Sequence, residues 1–199
     1  MKSLSSNQIG LGTLALLLPG AAHANAGVPM LFLAMPAFAI ALLPIIIVEV
    51  LYLSKTLNLS MGHSAKTVTI SNFASTIVGV PLTWFLLVLI QMVTGGGSAY
   101  GVDTTLGKIL AVTWQAPWLI PYEEELAWMI PIAGVVLLIP FFFASWWSEY
   151  FVTKHLLPEC SPENIRIKVR NANLITYSLL TLWPIGMLVF DYISSSNSI

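Results

Sequence analysis

Charged side chains are scarce in this sequence. They account for 9% of the 199 residues, whereas hydrophobic residues account for 57%, a balance that excludes an ordinary soluble domain of this size. The 8 basic and 9 acidic residues nearly cancel, so no excess of positive charge is available to bind nucleic acid. The composition instead indicates an integral membrane protein in contact with lipid.

Residues that would support catalysis or metal binding are also few. The single cysteine, Cys160, cannot form an intramolecular disulfide, and the three histidines lie at no metal-ligand spacing. The sequence contains neither a glycine-rich phosphate loop nor a nucleophile-elbow motif. We therefore expect no cofactor and no metal, and we do not expect an enzyme.

Residues 1–26 are typical of a secretory signal peptide. Met1 and Lys2 precede a short apolar stretch at 11–18, and small residues surround Ala24 and Ala26, where signal peptidase would cleave. An uncleaved signal anchor is the alternative. Cleavage would place the mature N-terminus on the outer side of the membrane.

Four apolar segments follow, and each is long enough to cross the hydrocarbon core, which takes about 20 helical residues. They cover residues 27–53, 71–93, 127–151 and 171–190. We predict an all-α fold, a single polytopic domain over 27–199 with four transmembrane helices. The helices form two related hairpins, at about 27–95 and 127–191, joined by an outer loop at 96–126.

Basic residues are concentrated in two polar segments inside the hairpins, at 54–70 and 152–170, which we predict to be loops, the first of which could include a helical turn. Six of the 8 basic residues lie there: Lys55, Lys66, Lys154, Arg166, Lys168 and Arg170. The positive-inside rule places both segments in the cytoplasm and the loop 96–126 outside. We expect both mature termini outside, with the bacterial plasma membrane as the location.

A polar pattern repeats in the two hairpins. Each has a glutamate near the end of its first span, an asparagine 23 or 24 residues later, and a hydroxyl residue three positions after the asparagine. Residues three apart share a helix face, so each asparagine and its hydroxyl should point to the same side. The predicted polar network consists of Glu49, Asn72, Ser75, Glu149, Asn173 and Thr176.

Three roles fit this network. In a structural role, the carboxylates could reach headgroup water, or they could hold each hairpin together by bonding the opposing asparagine and hydroxyl, at about 0.6 to 2 kcal/mol per interhelical bond. Acids within membranes are also candidates for moving protons or cations. A catalytic pair formed by Glu49 and Glu149, assisted by His63 or His155, is the third role. The structural role is favoured because each glutamate lies close to a polar segment.

Two further groups of residues are candidates for contacts. Ser75 and Gly79 are small residues four positions apart, a spacing that lets another helix approach closely. The aromatic side chains of the outer loop suit the headgroup zone, where a ring is half apolar and half wet. These candidate contact residues are Trp114, Trp118, Tyr122 and Trp128.

Residues 48–79 resemble a known family. The run Val48-Glu-Val-Leu-Tyr-Leu-Ser-Lys-Thr-Leu-Asn-Leu59, followed by Ser71-Asn-Phe-Ala-Ser-Thr-Ile-Val-Gly79, is similar to the cyanobacterial filament-integrity proteins of the FraC type. The positions that carry the resemblance are Glu49, Asn72, Ser75, Thr76 and Gly79. It implies a small integral membrane protein that keeps neighbouring cells joined at septa.

We therefore expect the protein to act as a membrane scaffold or partner-assembly protein. Its expected partners are membrane lipids and either another protein or a second copy of itself. The alternative is a small transporter or an ion-coupled accessory subunit that uses Glu49 and Glu149. Loss of transport on replacing both glutamates would favour the alternative, whereas loss of assembly would favour the scaffold.

Overall fold

The computed structural model describes residues 28–95, 100–119 and 125–196, so the signal-like segment 1–26 and Tyr122 lie outside the described residues. The described chain is almost entirely helical, which confirms the all-α prediction. Its elements are β1 (Val28–Pro29), α1 (Met30–Thr56), α2 (Met61–Ala74), a π-helical turn (Ser75–Gly79), α3 (Val80–Gly95), α4 (Thr105–Thr113), β2 (Trp118–Leu119), α5 (Leu126–Leu156), α6 (Pro162–Leu180) and α7 (Leu182–Ser196).

Four helical stretches are long and apolar enough to cross a membrane. They are Phe38–Thr56, Met61–Gly95, Leu126–Leu156 and Pro162–Ile193. Most of their large apolar side chains point outward and are exposed, as expected for surfaces that face lipid tails. The chain is therefore a polytopic helical membrane protein, as its composition predicted.

The connections inside the hairpins are shorter than the sequence predicted. The helices continue through most of the segments 54–70 and 152–170, leaving only 57–60 and 157–161 outside helices. Ser60 and Ser161 cap the N-termini of α2 and α6. Each hydroxyl accepts a hydrogen bond from the backbone N–H three residues later, at 3.3 Å. Most of 54–70 and 152–170 therefore consists of the polar ends of helices, because polar composition alone does not end a helix.

The four spanning stretches pack as a square. The helix α1 lies against α2 and α6, and α5 also lies against α2 and α6, which places α1 and α5 at opposite corners. One apolar cluster near the hairpin connections includes Leu53, Val68 and Leu157, and a second towards the outer end includes Met129 and Phe141. Buried polar side chains lie between these clusters.

The second span of each hairpin is interrupted just after its hydroxyl residue. Pro81 has no N–H and its ring displaces the carbonyl four residues earlier, so the helix before it widens. The result is the π-helical turn, in which the backbone N–H of Val80 donates to the carbonyl of Ser75. In the other hairpin the break between α6 and α7 falls at Thr181, three residues before Pro184.

Residues 100–119, which belong to the predicted outer loop, form a folded cap on the bundle, which we call the outer cap. Strands β1 and β2 pair antiparallel, with Val28 opposite Leu119. The indole Nε1 of Trp84 donates to the carbonyl of Pro117 at 2.7 Å, and its ring stacks on Trp118 with centroids 5.9 Å apart. These contacts fix the cap to the start of α1 and to α3.

Candidate functional site: a buried carboxylate network

The carboxylate of Glu49 lies inside the bundle, and its residue is 2% exposed. One oxygen accepts a hydrogen bond from Asn72 Nδ2 at 2.6 Å, across the first hairpin. The other accepts from Thr176 Oγ1 at 3.0 Å, in the second hairpin. Glu49 therefore joins the two hairpins.

Glu149 makes the reciprocal pair of contacts. It accepts from Asn173 Nδ2 at 2.6 Å within its own hairpin and from Ser75 Oγ at 3.1 Å in the other. The six residues singled out by their spacing thus lie in one network, and all are buried. The sequence predicted that each hydroxyl would serve its own hairpin, whereas Ser75 and Thr176 both cross to the other one.

Helix geometry explains this crossing. At 3.6 residues per turn, positions three apart differ by about 60° around the helix axis. In a square bundle, a helix meets its two neighbours in directions roughly at right angles. Asn72 can thus face α1 of its own hairpin while Ser75, three residues later, faces α5 of the other.

The asparagines and hydroxyls are held in place by the backbone of their own helices. Asn72 and Asn173 each donate a second hydrogen bond to the carbonyl four residues earlier, both at 3.1 Å. Ser75 Oγ lies 3.0 Å from the carbonyl of Asn72, and Thr176 Oγ1 lies 3.2 Å from that of Ala172. The donors that surround the carboxylates are therefore positioned before the two hairpins meet.

Other buried polar side chains of the bundle were missed by the sequence reasoning. Tyr177 Oη donates to the carbonyl of Phe141 at 3.0 Å and lies 2.7 Å from Ser145 Oγ. Ser145, Glu149 and Thr153 are spaced by four residues on α5, and all three are buried. This spacing places them on one face of the helix and was the signal that could have identified them.

A matching stripe of small residues runs along the second span of the first hairpin. Thr67, Ser71, Ser75 and Gly79 are also spaced by four residues. A Cβ added at Gly79 would lie 3.2 Å from Ser148 Oγ, so this span approaches α5 closely there. The Ser75 and Gly79 pair lies at this helix contact, where small side chains let backbones come together.

Charge in the network is carried by the carboxylates alone. Within the described residues, basic side chains form two ion pairs, Lys108 with Glu125 and Arg166 with Glu163, and both lie outside it. No group of three or more His, Cys, Asp or Glu side chains in that part of the chain could hold a metal ion. The arrangement can accept hydrogen bonds and hold protons.

The two histidines considered as catalytic partners lie elsewhere. His63 and His155 are exposed at the ends of their helices beside the hairpin connections. No hydrogen bond between described residues joins either imidazole to Glu49 or Glu149. The geometry gives no support to the catalytic role.

Two of the outer aromatic candidates make contacts within the chain. Trp118 stacks on Trp84, and Trp128 Nε1 donates to the carboxylate of Glu125. The Nζ of Lys108 lies 5.5 Å from the centre of the Trp128 ring, within the range of a cation–π contact. Trp114 is the aromatic candidate that remains exposed among the described residues.

The chain matches no protein-family model, no curated protein and no solved structure. A functional proposal therefore depends on the geometry of the network and of the outer cap.

Proposed function

We propose that the chain is an integral membrane scaffold that assembles a protein partner at its outer face, with the four-helix bundle as the anchor. The reciprocal network carries this proposal. All four oxygens of Glu49 and Glu149 accept hydrogen bonds from side chains of the chain itself. Carboxylates that are already occupied suit a fixed core better than an open binding site.

The outer cap offers the contact surface. The N-terminus of α4 is capped by Thr104, whose Oγ1 accepts from the backbone N–H of Gly107 at 3.0 Å. Ala111 and Val112 are buried against the bundle, so they fix the orientation of the helix. On the same helix Leu106 and Ile109 are exposed, and Trp114 is exposed at the residue after its end. These three side chains offer an apolar surface that suits a protein partner or a second copy of the chain.

Removing this surface should reduce assembly. We expect the Leu106→Ser, Ile109→Ser double variant to migrate as a smaller complex after mild detergent extraction, because the apolar contact is lost. By the resemblance to FraC-type proteins, a fluorescent fusion of the unchanged protein should concentrate at septa, and the variant should spread around the envelope. Leu182→Ser is the matched control, since Leu182 is 61% exposed on α7 and Leu106 is 66% exposed on α4.

An unchanged complex size for the α4 variant would contradict the assembly proposal. So would equal losses for the α4 variant and for Leu182→Ser, because they would indicate a general effect of polar residues on extraction. Differently tagged copies, co-expressed and cross-linked, distinguish a second copy of the chain from another protein.

The orientation can be tested at the single cysteine. We propose that the hairpin connections face the cytoplasm and both mature termini face outward, so Cys160 in the connection 157–161 should be cytoplasmic. A membrane-impermeant maleimide should label Cys160 only after cells are permeabilised. Partial burial and then Glu159 raise the pKa of this thiol, so less thiolate is present at neutral pH and labelling should accelerate as the pH rises.

A second cysteine position provides the control for orientation. Thr105 is exposed at the start of α4, and Thr105→Cys in a Cys160→Ala background should react in intact cells. The reverse pattern, with Cys160 labelled in intact cells and the α4 cysteine protected, would invert the proposed topology.

A small ion-coupled transporter is the second candidate function. It is favoured by the presence of two carboxylates in one buried network without a basic partner, since acids within membranes often serve ion movement. Ion flux into vesicles that contain the purified protein, lost in the Glu49→Gln, Glu149→Gln double variant while complex size is kept, would support it over the scaffold.

A further inference from the structure

Charge balance is the unresolved property of the carboxylate network. Two ionised carboxylates would carry two negative charges inside the bundle, and each unpaired charge in a membrane core costs about 3 kcal/mol or more. The titratable groups that the packed helices bring near them are the two carboxyls themselves and the phenol of Tyr177, while Lys55, His63, Lys66, Lys154 and His155 are exposed at the hairpin ends. A proton bound to one carboxyl would remove one of these two charges.

The neighbouring hydroxyls can accommodate that proton. A hydroxyl has one hydrogen, yet Thr176 Oγ1 lies 3.0 Å from Glu49 and 3.2 Å from two backbone carbonyls. Ser75 Oγ is likewise placed between Glu149 at 3.1 Å and the carbonyl of Asn72 at 3.0 Å. If a glutamate is protonated, it can donate to the hydroxyl, which then turns its own hydrogen to the carbonyl.

A second observation points to a missing donor at the same place. Asn173 is 1% exposed, and its Oδ1 has no hydrogen-bond partner among the described residues. The Nδ2 of the same amide contacts Glu149. A buried acceptor without a donor costs about 1 to 3 kcal/mol. With the amide turned over, Oδ1 would face Glu149 and accept a hydrogen bond from its protonated form, so an added proton would supply the missing donor.

The two carboxyls differ in how they can be reached. A cavity of about 370 Å³ opens on the membrane-facing side between α1 and the α6–α7 break, and its lining includes Ala41, Val48, Thr176 and Leu180. Thr176 is the hydroxyl that contacts Glu49. The cavity therefore leads to the Glu49 half of the network.

The corresponding position in the first hairpin is closed. Gly79 lies four residues after Ser75, as Leu180 lies four residues after Thr176. A Cβ at Gly79 would contact Ser148 Oγ at 3.2 Å and the carbonyl of Ala144 at 3.8 Å, which leaves no comparable space beside it. We infer that Glu49 and Glu149 form a proton-binding site between the hairpins, in which Glu49 is the carboxyl reachable from the lipid phase.

Dicyclohexylcarbodiimide tests this inference, because it is lipid-soluble and reacts with protonated carboxyl groups. The acid O–H adds across one C=N bond, so the proton goes to nitrogen and the carboxyl oxygen to the central carbon. Rearrangement to the N-acylurea retains every atom, and the peptide gains the mass of one reagent molecule. We expect modification of Glu49 in membranes at neutral pH, several times faster than modification of Glu149.

Three variants separate loss of access to Glu49 from a general loss of folding. Glu49→Gln should abolish the modification, and Ala41→Phe, which fills the cavity, should slow it several-fold. Leu43→Phe is the matched control, because Leu43 is exposed on α1 and does not line the cavity. Glu163, whose side chain is 74% exposed, is the surface carboxyl with which the pH dependence of Glu49 modification is compared.

Three results would overturn the inference. Modification of Glu49 only at acidic pH, in parallel with Glu163, would mean that no proton is held at neutral pH. Equal or faster modification of Glu149 would contradict the assigned access. No effect of Ala41→Phe relative to Leu43→Phe would show that the cavity is not the route. None of these results depends on whether the protein works as a scaffold.

Discussion

Replacing Asn173 with leucine should lower the melting temperature by about 2 to 12 °C. The variant leaves one oxygen of buried Glu149 without its 2.6 Å donor, and such a loss costs about 1 to 3 kcal/mol. For a chain of 150 to 250 residues, each kcal/mol corresponds to about 2 to 4 °C. Thermal unfolding of the detergent-solubilised protein, followed by circular dichroism, measures the change.

The first hairpin provides a replicate of this experiment, and an exposed asparagine provides its control. Asn72→Leu removes the equivalent 2.6 Å bond to Glu49 and should cost a similar amount. Asn164→Leu makes the same chemical change at an exposed position in the first turn of α6 and should have little effect. If Asn173→Leu were no more destabilising than Asn164→Leu, the bond to Glu149 would not contribute to stability.

Features that depend on local sequence were predictable. The four spans follow from hydropathy, and the separation of 23 or 24 residues between glutamate and asparagine was enough to place both at one depth in a hairpin. Which side chains from the other hairpin complete the network was not predictable. That choice depends on how α1 and α5 are arranged around α2 and α6, and no local pattern encodes this arrangement.

The lengths of the connections were misjudged for a different reason. The segments 54–70 and 152–170 are polar, so they were assigned to loops, but Ser60 and Ser161 cap helices that begin within them. A serine before an amphipathic turn was the available signal. Caps, rather than the loss of hydropathy, determine where these helices start.

The outer cap shows the limit of reasoning from residue type. Trp118 and Trp128 are predicted contact residues because their rings suit the membrane interface. In the structure Trp118 stacks on Trp84, and Trp128 contacts Lys108 and Glu125. Trp84 and Lys108 are distant in sequence from the rings they contact, so only the folded arrangement reveals these two contacts.

Substituting one glycine of this cap should destabilise the protein about as much as removing a hydrogen bond of the network. A Cβ at Gly107 would lie 1.9 Å from the backbone carbonyl oxygen of Gly101, closer than any side chain tolerates. Because the obstacle is backbone, Gly107→Ala must displace α4 or the segment before it, and we expect a loss of about 3 kcal/mol or more. Faster amide hydrogen exchange in residues 105–113, together with a lower melting temperature, would measure it.

A glycine-to-alanine substitution in α5 should have the opposite effect on stability. Gly134 lies in the middle of α5 with no atom within 4 Å of an added Cβ, and glycine inside a helix is about 0.5 to 1 kcal/mol less stable than alanine. Gly134→Ala should therefore stabilise the protein slightly, whereas Gly107→Ala should destabilise it. If both substitutions were stabilising, the close contact between Gly107 and Gly101 would be refuted, and the orientation of the α4 surface proposed to bind a partner would have to be revised with it.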